Sequence, residues 1–415
     1  MRVKTILNRI EKQPGFIYEQ ARWSADGKRI EVTLRPAART PPVCSGCGER
    51  GAGYDTLAAR RFQYVPLWGI GVVLVYAMRR VECARCGVKV ERVPWAAGKH
   101  QLTWSYVWFL ARWARRLSWA EVARIFSTSW PTVFRAVEVA VEWGRERMPM
   151  DGITAIGVDE VLWQRGHRYL TVVYEIARQR CRLLWVGENR EEVSLEGFFT
   201  WLGERRAEAI GYVCSDMWKP YLNVIARRIP QALHVLDRFH IVAKLSKAID
   251  EVRAKEAKRL QAAGYEPVLK HTRWCLLKRP EKHTARQRSR LRELLTYNLR
   301  TVRAYLLKED FDFLWHYKSA HWAGRFLDRW CTQAMRSRIE PMKAVAKTLR
   351  AHRALILNWF RVREAISLGA TEGLNNKLKV VTRRAYGFRS AHVVKVALYH
   401  TLGALPEPTD THRFC

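Results

Sequence analysis

Negative charge is scarce in this sequence. Only 39 Asp and Glu stand against 73 Lys and Arg, a formal net charge of +34 at pH 7. A compact chain so one-sided repels itself, and the excess makes sense only beside a polyanion. Nucleic acid is the leading candidate, because each neutralised phosphate releases a counterion and adds affinity. Long apolar runs are also missing. The longest, Ile70–Met78, falls far short of the roughly 18 residues that a membrane span needs. The start MRVKTILNRIEKQ lacks the apolar core of a signal peptide. Neither a membrane nor a secreted protein is expected; the reading is cytoplasmic, and nucleoid-associated when bound. The nine cysteines are an odd number in a long chain, which argues against a disulfide framework. Internal repeats and low-complexity tracts are absent.

The basic residues are spread along the chain, with clusters at Arg112–Arg116, Arg253–Arg259, Arg286–Arg292 and Lys377–Arg384. This suggests a large DNA footprint rather than a basic tail; plain solvated helix faces would mix both signs. Hydrophobic residues make up 48% of the 415, ample for packed cores, and the length suggests two or three domains. Residues 1–100 alternate apolar and polar positions between Gly and Pro, as in a small β-rich module. Residues 101–150 carry helical periodicity. Five apolar runs follow in 151–240: Ile153–Val158, Tyr169–Ile176, Leu183–Val186, Ile210–Val213 and Leu233–Leu236, with a helical stretch Leu195–Arg206 between the third and fourth. Residues 241–366 read as a helical insertion, and 367–415 as closing helices beginning near Thr371.

Two C-x2-C pairs, Cys44/Cys47 and Cys83/Cys86, are each followed by glycine, with 35 residues between them. A two-residue knuckle lets both thiolates face one ion, and two knuckles complete a tetrahedral S4 zinc site that would be structural. A strand pair fits between them; a redox pair or chance are the alternatives. Further on, Leu117–Phe126 reads as a short helix with Ser118 as N-cap. After a break at Ser127–Trp130, Pro131 fits the first turn of a second helix, Thr132–Val141. This is a helix-turn-helix pattern, with Thr132 and Arg135 as candidates to face a major groove. A plain helical hairpin is the alternative.

Asp159 closes one apolar run and Asp216 another. Burying a carboxylate at a strand end is costly unless a cation compensates. The β-β-β-α-β-α-β order of 151–240 is that of a ribonuclease H-like core, in which the first and fourth strands are neighbours and their aspartates meet. A third carboxylate fits Glu372, at the start of a late helix that carries Asn375, Lys377 and Lys379; Glu160, Glu340 and Glu364 are rival ligands. Three oxygen ligands without paired His or Cys suit two Mg2+ or Mn2+ ions for in-line displacement at a phosphate.

These blocks, together with Gly157-Val-Asp159-Glu160, Ser215-Asp216-Met-Trp-Lys-Pro-Tyr221, Asp237-Arg-Phe-His240 and Glu372-Gly-Leu-Asn-Asn-Lys377 followed by Arg383-Arg-Ala-Tyr-Gly-Phe388, resemble the bacterial insertion-sequence transposases of the ISL-three family, in the same order over nearly the whole chain. The resemblance implies a DDE triad of Asp159, Asp216 and Glu372. It also implies double-stranded DNA as partner, both terminal inverted repeats and target, and a homodimer or higher oligomer. Asn375, Lys377, Lys379, Arg383 and Arg384 are candidate DNA contacts. Asp237 and His240 form a D-x2-H pair, read first as a structural hydrogen bond and second as part of the site. Trp315, Trp322 and Trp330 read first as core and second as platforms for an unpaired base. A non-catalytic regulator that binds DNA through the zinc module and helix-turn-helix is the runner-up, and a general nuclease of the same fold a third reading.

Overall fold

A computed structural model describes residues 3–164, 166–362, 366, 370–384, 388 and 390–409. They form two compact units, Met1–Pro149 with Val380–Cys415, and Met150–Lys379. Residues 367–415, read from sequence as one segment, divide between the two at this boundary.

The first unit opens with a helix, α1 (Val3–Ile10), which strand-like alternation did not signal. Five strands follow: β1 (Phe16–Trp23), β2 (Arg29–Pro36), β3 (Ala52–Leu67), β4 (Ile70–Cys83) and β5 (Gly87–Val90). Their order is β1-β2-β4-β3, with β5 also on β4. The long β3–β4 hairpin turns at Trp68 and Gly69, both at positive φ, the geometry that matches strand twist in a two-residue turn. Trp95 is buried at the centre of this module, met edge-on by Phe16, Phe62 and Tyr76.

Three helices come next: α2 (Trp104–Arg116), α3 (Trp119–Ile125) and α4 (Trp130–Glu146). Each has an oxygen side chain at its start. Thr103 caps α2, Ser118 forms a reciprocal capping box with Glu121 at α3, and Ser129 caps α4, which starts at Trp130, two residues before Thr132. Ser127 turns the chain between α3 and α4 at φ 48°.

The second unit is built on a mixed sheet. Its elements are β6 (Ala155–Gln164), β7 (Arg168–Ala177), β8 (Arg180–Glu188), α5 (Glu192–Leu202), α6 (Glu204–Glu208), β9 (Tyr212–Ser215), α7 (Lys219–Arg228) and β10 (Leu233–Leu236). The strand order is β10-β9-β6-β7-β8. β6, β7 and β8 are antiparallel, while β9 runs parallel to both β6 and β10. Leu170–Ile176 of β7 are buried without a break, so both faces of the central sheet are covered. The expected helix Leu195–Arg206 is two helices, broken where Gly203 takes φ 83°.

A helical array follows: α8 (Arg238–Ala262), α9 (Arg273–Leu277), α10 (Ala285–Leu295), α11 (Arg300–Asp312), α12 (Ala320–Arg336), α13 (Glu340–Ala351) and α14 (Arg353–Leu357). Buried Glu256 of α8 accepts the backbone N–H groups of Arg300 and Thr301 at 3.0 and 2.7 Å, filling orphan donors at the start of α11. α15 (Ala370–Arg384) crosses the unit boundary, and α16 (Ala391–Leu402) packs on α4 in the first unit. No described helix is long and apolar enough to cross a membrane.

Candidate active site and metal sites

The parallel pairing of β6 with β9 decides the geometry of the site. The last matched pair is Val158 with Ser215, so the next residues, Asp159 and Asp216, leave the same end of neighbouring strands. Asp159 does not end its strand, as the sequence suggested. β6 runs on to Gln164, paired with β7 alone, because Val161 and Leu162 still find partners there. Asp159 marks instead where β6 loses its β9 neighbour.

Asp159 is 4% exposed. Its Oδ1 accepts the Glu160 N–H at 2.7 Å and lies 3.7 Å from His240 Nε2. Its Oδ2 accepts from Asn375 Nδ2 on α15. Asp216 Oδ1 accepts the Trp218 N–H at 2.9 Å. Burial, with the nearby Asp159 carboxylate adding to it, raises the Asp216 pKa despite that bond. Burial likewise raises Glu160, helped by Asp216 and opposed by Arg190. At His240, burial disfavours the charged ring, but Asp159, Asp237 and Asp216 outweigh it and raise its pKa to about 9. Such concentrated, desolvated negative charge in an all-oxygen donor set fits a hard divalent cation.

Glu372 lies on α15, and its side chain is outside what the structure describes. Of its rivals, Glu160 pairs with Arg190 beside the aspartates, Glu340 is exposed at the start of α13 and paired with Lys343, and Glu364 lies outside the described residues. Lys377, Lys379 and Arg383 are exposed on α15; the Arg384 side chain is outside the description. Asn375, expected to contact DNA, is half-buried, with one amide donor on Asp159 and its oxygen on Tyr174. In the first unit Arg135 is exposed, while Thr132 is half-buried and bonded to Ser129.

Asp237 caps α8 by accepting the Phe239 N–H at 2.8 Å, and lies 3.9 Å from His240. Trp315 and Trp330 are buried core residues with no ring face open to a base, whereas Trp322 is 54% exposed. Sequence reasoning passed over Tyr174 and Arg190. A hydroxyl inside the apolar run Tyr169–Ile176 was the signal for the first. Arg190 had none: its guanidinium lies over the Tyr169 and Trp218 rings only because the fold brings them together.

Cys44, Cys47, Cys83 and Cys86 converge in the first unit. Their four sulfurs all lie within 4.8 Å of one another, and Cys47 Sγ is 3.5 Å from Cys83 Sγ. A tetrahedral Zn–S4 centre places sulfurs about 3.8 Å apart, so the cluster fits structural zinc. Gly46 packs closely inside it, where a Cβ would come within 3.1 Å of Cys86 Sγ. Among the described residues this is the one group of three or more metal-competent side chains so closely gathered.

A family model for transposases of the ISL3 type matches residues 156–398. The chain is 32% identical over 380 residues to the transposase for insertion sequence element IS1001 of Bordetella parapertussis, covering 90% of this chain and 92% of that protein. It is 30% identical over 416 residues to the transposase for insertion sequence element IS1557 of Mycobacterium tuberculosis, covering 94% and 92%. The chain belongs to the ISL3 family of insertion-sequence transposases.

Proposed function

We propose that the protein is a DDE transposase that binds the terminal inverted repeats of its own element, cleaves there, and joins the freed ends to target DNA. The observation that carries this reading is the emergence of Asp159 and Asp216 side by side from parallel strands, with α15 reaching Asp159 through Asn375. The strand order supports a ribonuclease H-like core interrupted by the helical insertion of α8 to α14. Asp159, Asp216 and Glu372, one turn before Asn375 on α15, would hold two Mg2+ or Mn2+ ions. When bound, such ions neutralise charge at the phosphate and activate the attacking and leaving oxygens.

The chain's own residues position the reactants. The Trp218 N–H fixes Asp216, and His240 Nε2 stands 3.7 Å from Asp159 Oδ1. In cleavage, water oxygen bonds to phosphorus and the 3′ oxygen leaves, taking a proton. That 3′-hydroxyl then displaces a 3′ oxygen in the target strand, and no covalent protein intermediate is needed. The zinc module and helices α2 to α4, read as a helix-turn-helix with Arg135 exposed, supply end binding. Lys377, Lys379 and Arg383 supply phosphate contacts. Assembly as a dimer or higher oligomer and a cytoplasmic, nucleoid-bound location follow from work on two DNA ends.

The test places the gene's native flanking DNA on a plasmid beside the expressed protein and amplifies excised or re-inserted junctions. Junctions with wild type and none with Asp216→Ala are expected. Tight repeat binding without junctions from either protein would overturn catalysis in favour of a DNA-binding regulator.

A further inference from the structure

Resting on that reading, we propose that Asn375 is a positioning residue. Its carboxamide holds the Asp159 carboxylate for the divalent ion, and Tyr174 in turn holds the carboxamide. Tyr174 pairs with Gly157 across β6 and β7, and Asp159 is two residues beyond Gly157. Asp159 and Tyr174 are therefore diagonal neighbours on one face of the sheet, roughly 7–8 Å apart at the backbone. The Asn375 amide bridges the two side chains. Nδ2 donates to Asp159 Oδ2, and Oδ1 accepts from the Tyr174 hydroxyl at 3.0 Å.

Only one arrangement of this chain satisfies the chemistry. An ionised carboxylate can only accept, so the amide nitrogen must face Asp159 and the amide oxygen must face Tyr174. The hydroxyl must then donate. Tyr174 is wholly buried, so its ring cannot follow a wandering amide. Leu374 and Leu378, flanking Asn375 on α15, are buried as well, which fixes the helix that carries it. Asp159 Oδ2 keeps a second lone pair for an ion, while rotation of its carboxylate is stopped. Because Glu372 precedes Asn375 by one helical turn, the same contact sets the height of its backbone.

The experiment uses the zinc-loaded full chain and follows Mn2+ binding by electron paramagnetic resonance, which needs neither DNA nor turnover. Asn375→Ala is expected to weaken Mn2+ binding about tenfold, close to 1.4 kcal/mol, while repeat binding in Ca2+ stays within twofold. Tyr174→Phe removes one oxygen from a packed ring and is expected to shift Mn2+ binding the same way, by less. The double variant should be no weaker than Asn375→Ala alone, since both act through one chain of bonds. Unchanged Mn2+ affinity in Asn375→Ala, or fully additive losses, would overturn the proposal. Should Asn375→Ala unfold, the shift in Tyr174→Phe alone decides, and its absence overturns the idea. Asp159→Ala separates the two levels: if it too binds Mn2+ like wild type, the carboxylate reading of the site fails, not merely the role of Asn375.

Discussion

Trp218 donates its backbone N–H to Asp216 Oδ1 at 2.9 Å, so this carboxylate is held by its own chain two residues on. The indole N–H of Trp218 is tied in turn to the Arg190 carbonyl at 2.9 Å, and the Arg190 guanidinium lies over the Trp218 ring. Asp216 is thus oriented by a local turn that does not require its negative charge.

Asp216→Asn keeps the accepting oxygen and removes only the charge. Strand cleavage should fall at least about 10²–10³-fold, the scale for losing a preorganised electrostatic group. Thermal unfolding should stay level or rise, because a desolvated carboxylate is gone. A large drop in Tm together with lost repeat binding would show that Asp216 serves the fold instead.

The purified chain should carry one zinc, measured by mass spectrometry of the metal. Cys83→Ser should lose it and unfold the β module, since binding and folding are one process in so small a sulfur-held site. A zinc-free wild-type protein with an unchanged melting curve would exclude a structural role for the ion.

Trp330 and Trp322 share α12 but should behave oppositely. Trp330 is buried and bonded through its indole N–H to the Leu307 carbonyl at 2.8 Å, so Trp330→Ala should cost about 3–5 kcal/mol. Trp322→Ala should change stability by no more than about 0.5 kcal/mol. If Trp322→Ala instead slows strand transfer at constant stability, base stacking belongs to that residue. Urea titrations beside strand-transfer assays read both.

His400 on α16 is buried with no partner for its Nε2 among the described residues, and burial, aided by Arg115, lowers its pKa to about 3. The unfolded chain takes up a proton near pH 6.5 that the folded chain refuses. Stability present above 6.5 is therefore lost as pH falls, by up to about 1.4 kcal/mol for each unit between 6.5 and 3. Urea midpoints of the first unit should drop between pH 7 and pH 5, and His400→Leu should flatten that slope. An equal slope in the variant would rule His400 out as its source.

Much of this was legible in the sequence, because local chemistry announces itself. Ser118 marks a helix start, the two cysteine knuckles mark a metal site, and each apolar run of 153–236 overlaps a strand, though β6 starts at Ala155 and β9 at Tyr212. Contacts across long separations were not legible. Nothing near Asp159 says that β6 continues through Val161 and Leu162, since that depends on what β7 offers opposite. Trp315, Trp322 and Trp330 look alike in sequence, and only packing separates the buried from the exposed. The bond from Asn375 to Asp159 spans 216 positions and has no local signature.

The helices of residues 104–146 are closed by the far end of the chain. Gly144 packs so tightly against Leu405 that an added Cβ would come within 2.8 Å of it, and Glu407 bridges Arg112 and Arg115 at 2.9 and 2.6 Å. During synthesis this face must therefore wait, open-sided, until the whole second unit has been translated. A chain that stopped before Leu405 would leave the groove beside Gly144 unfilled and take the Glu407 carboxylate away from Arg112 and Arg115. Completion of this face thus reports that the chain has been made through Glu407.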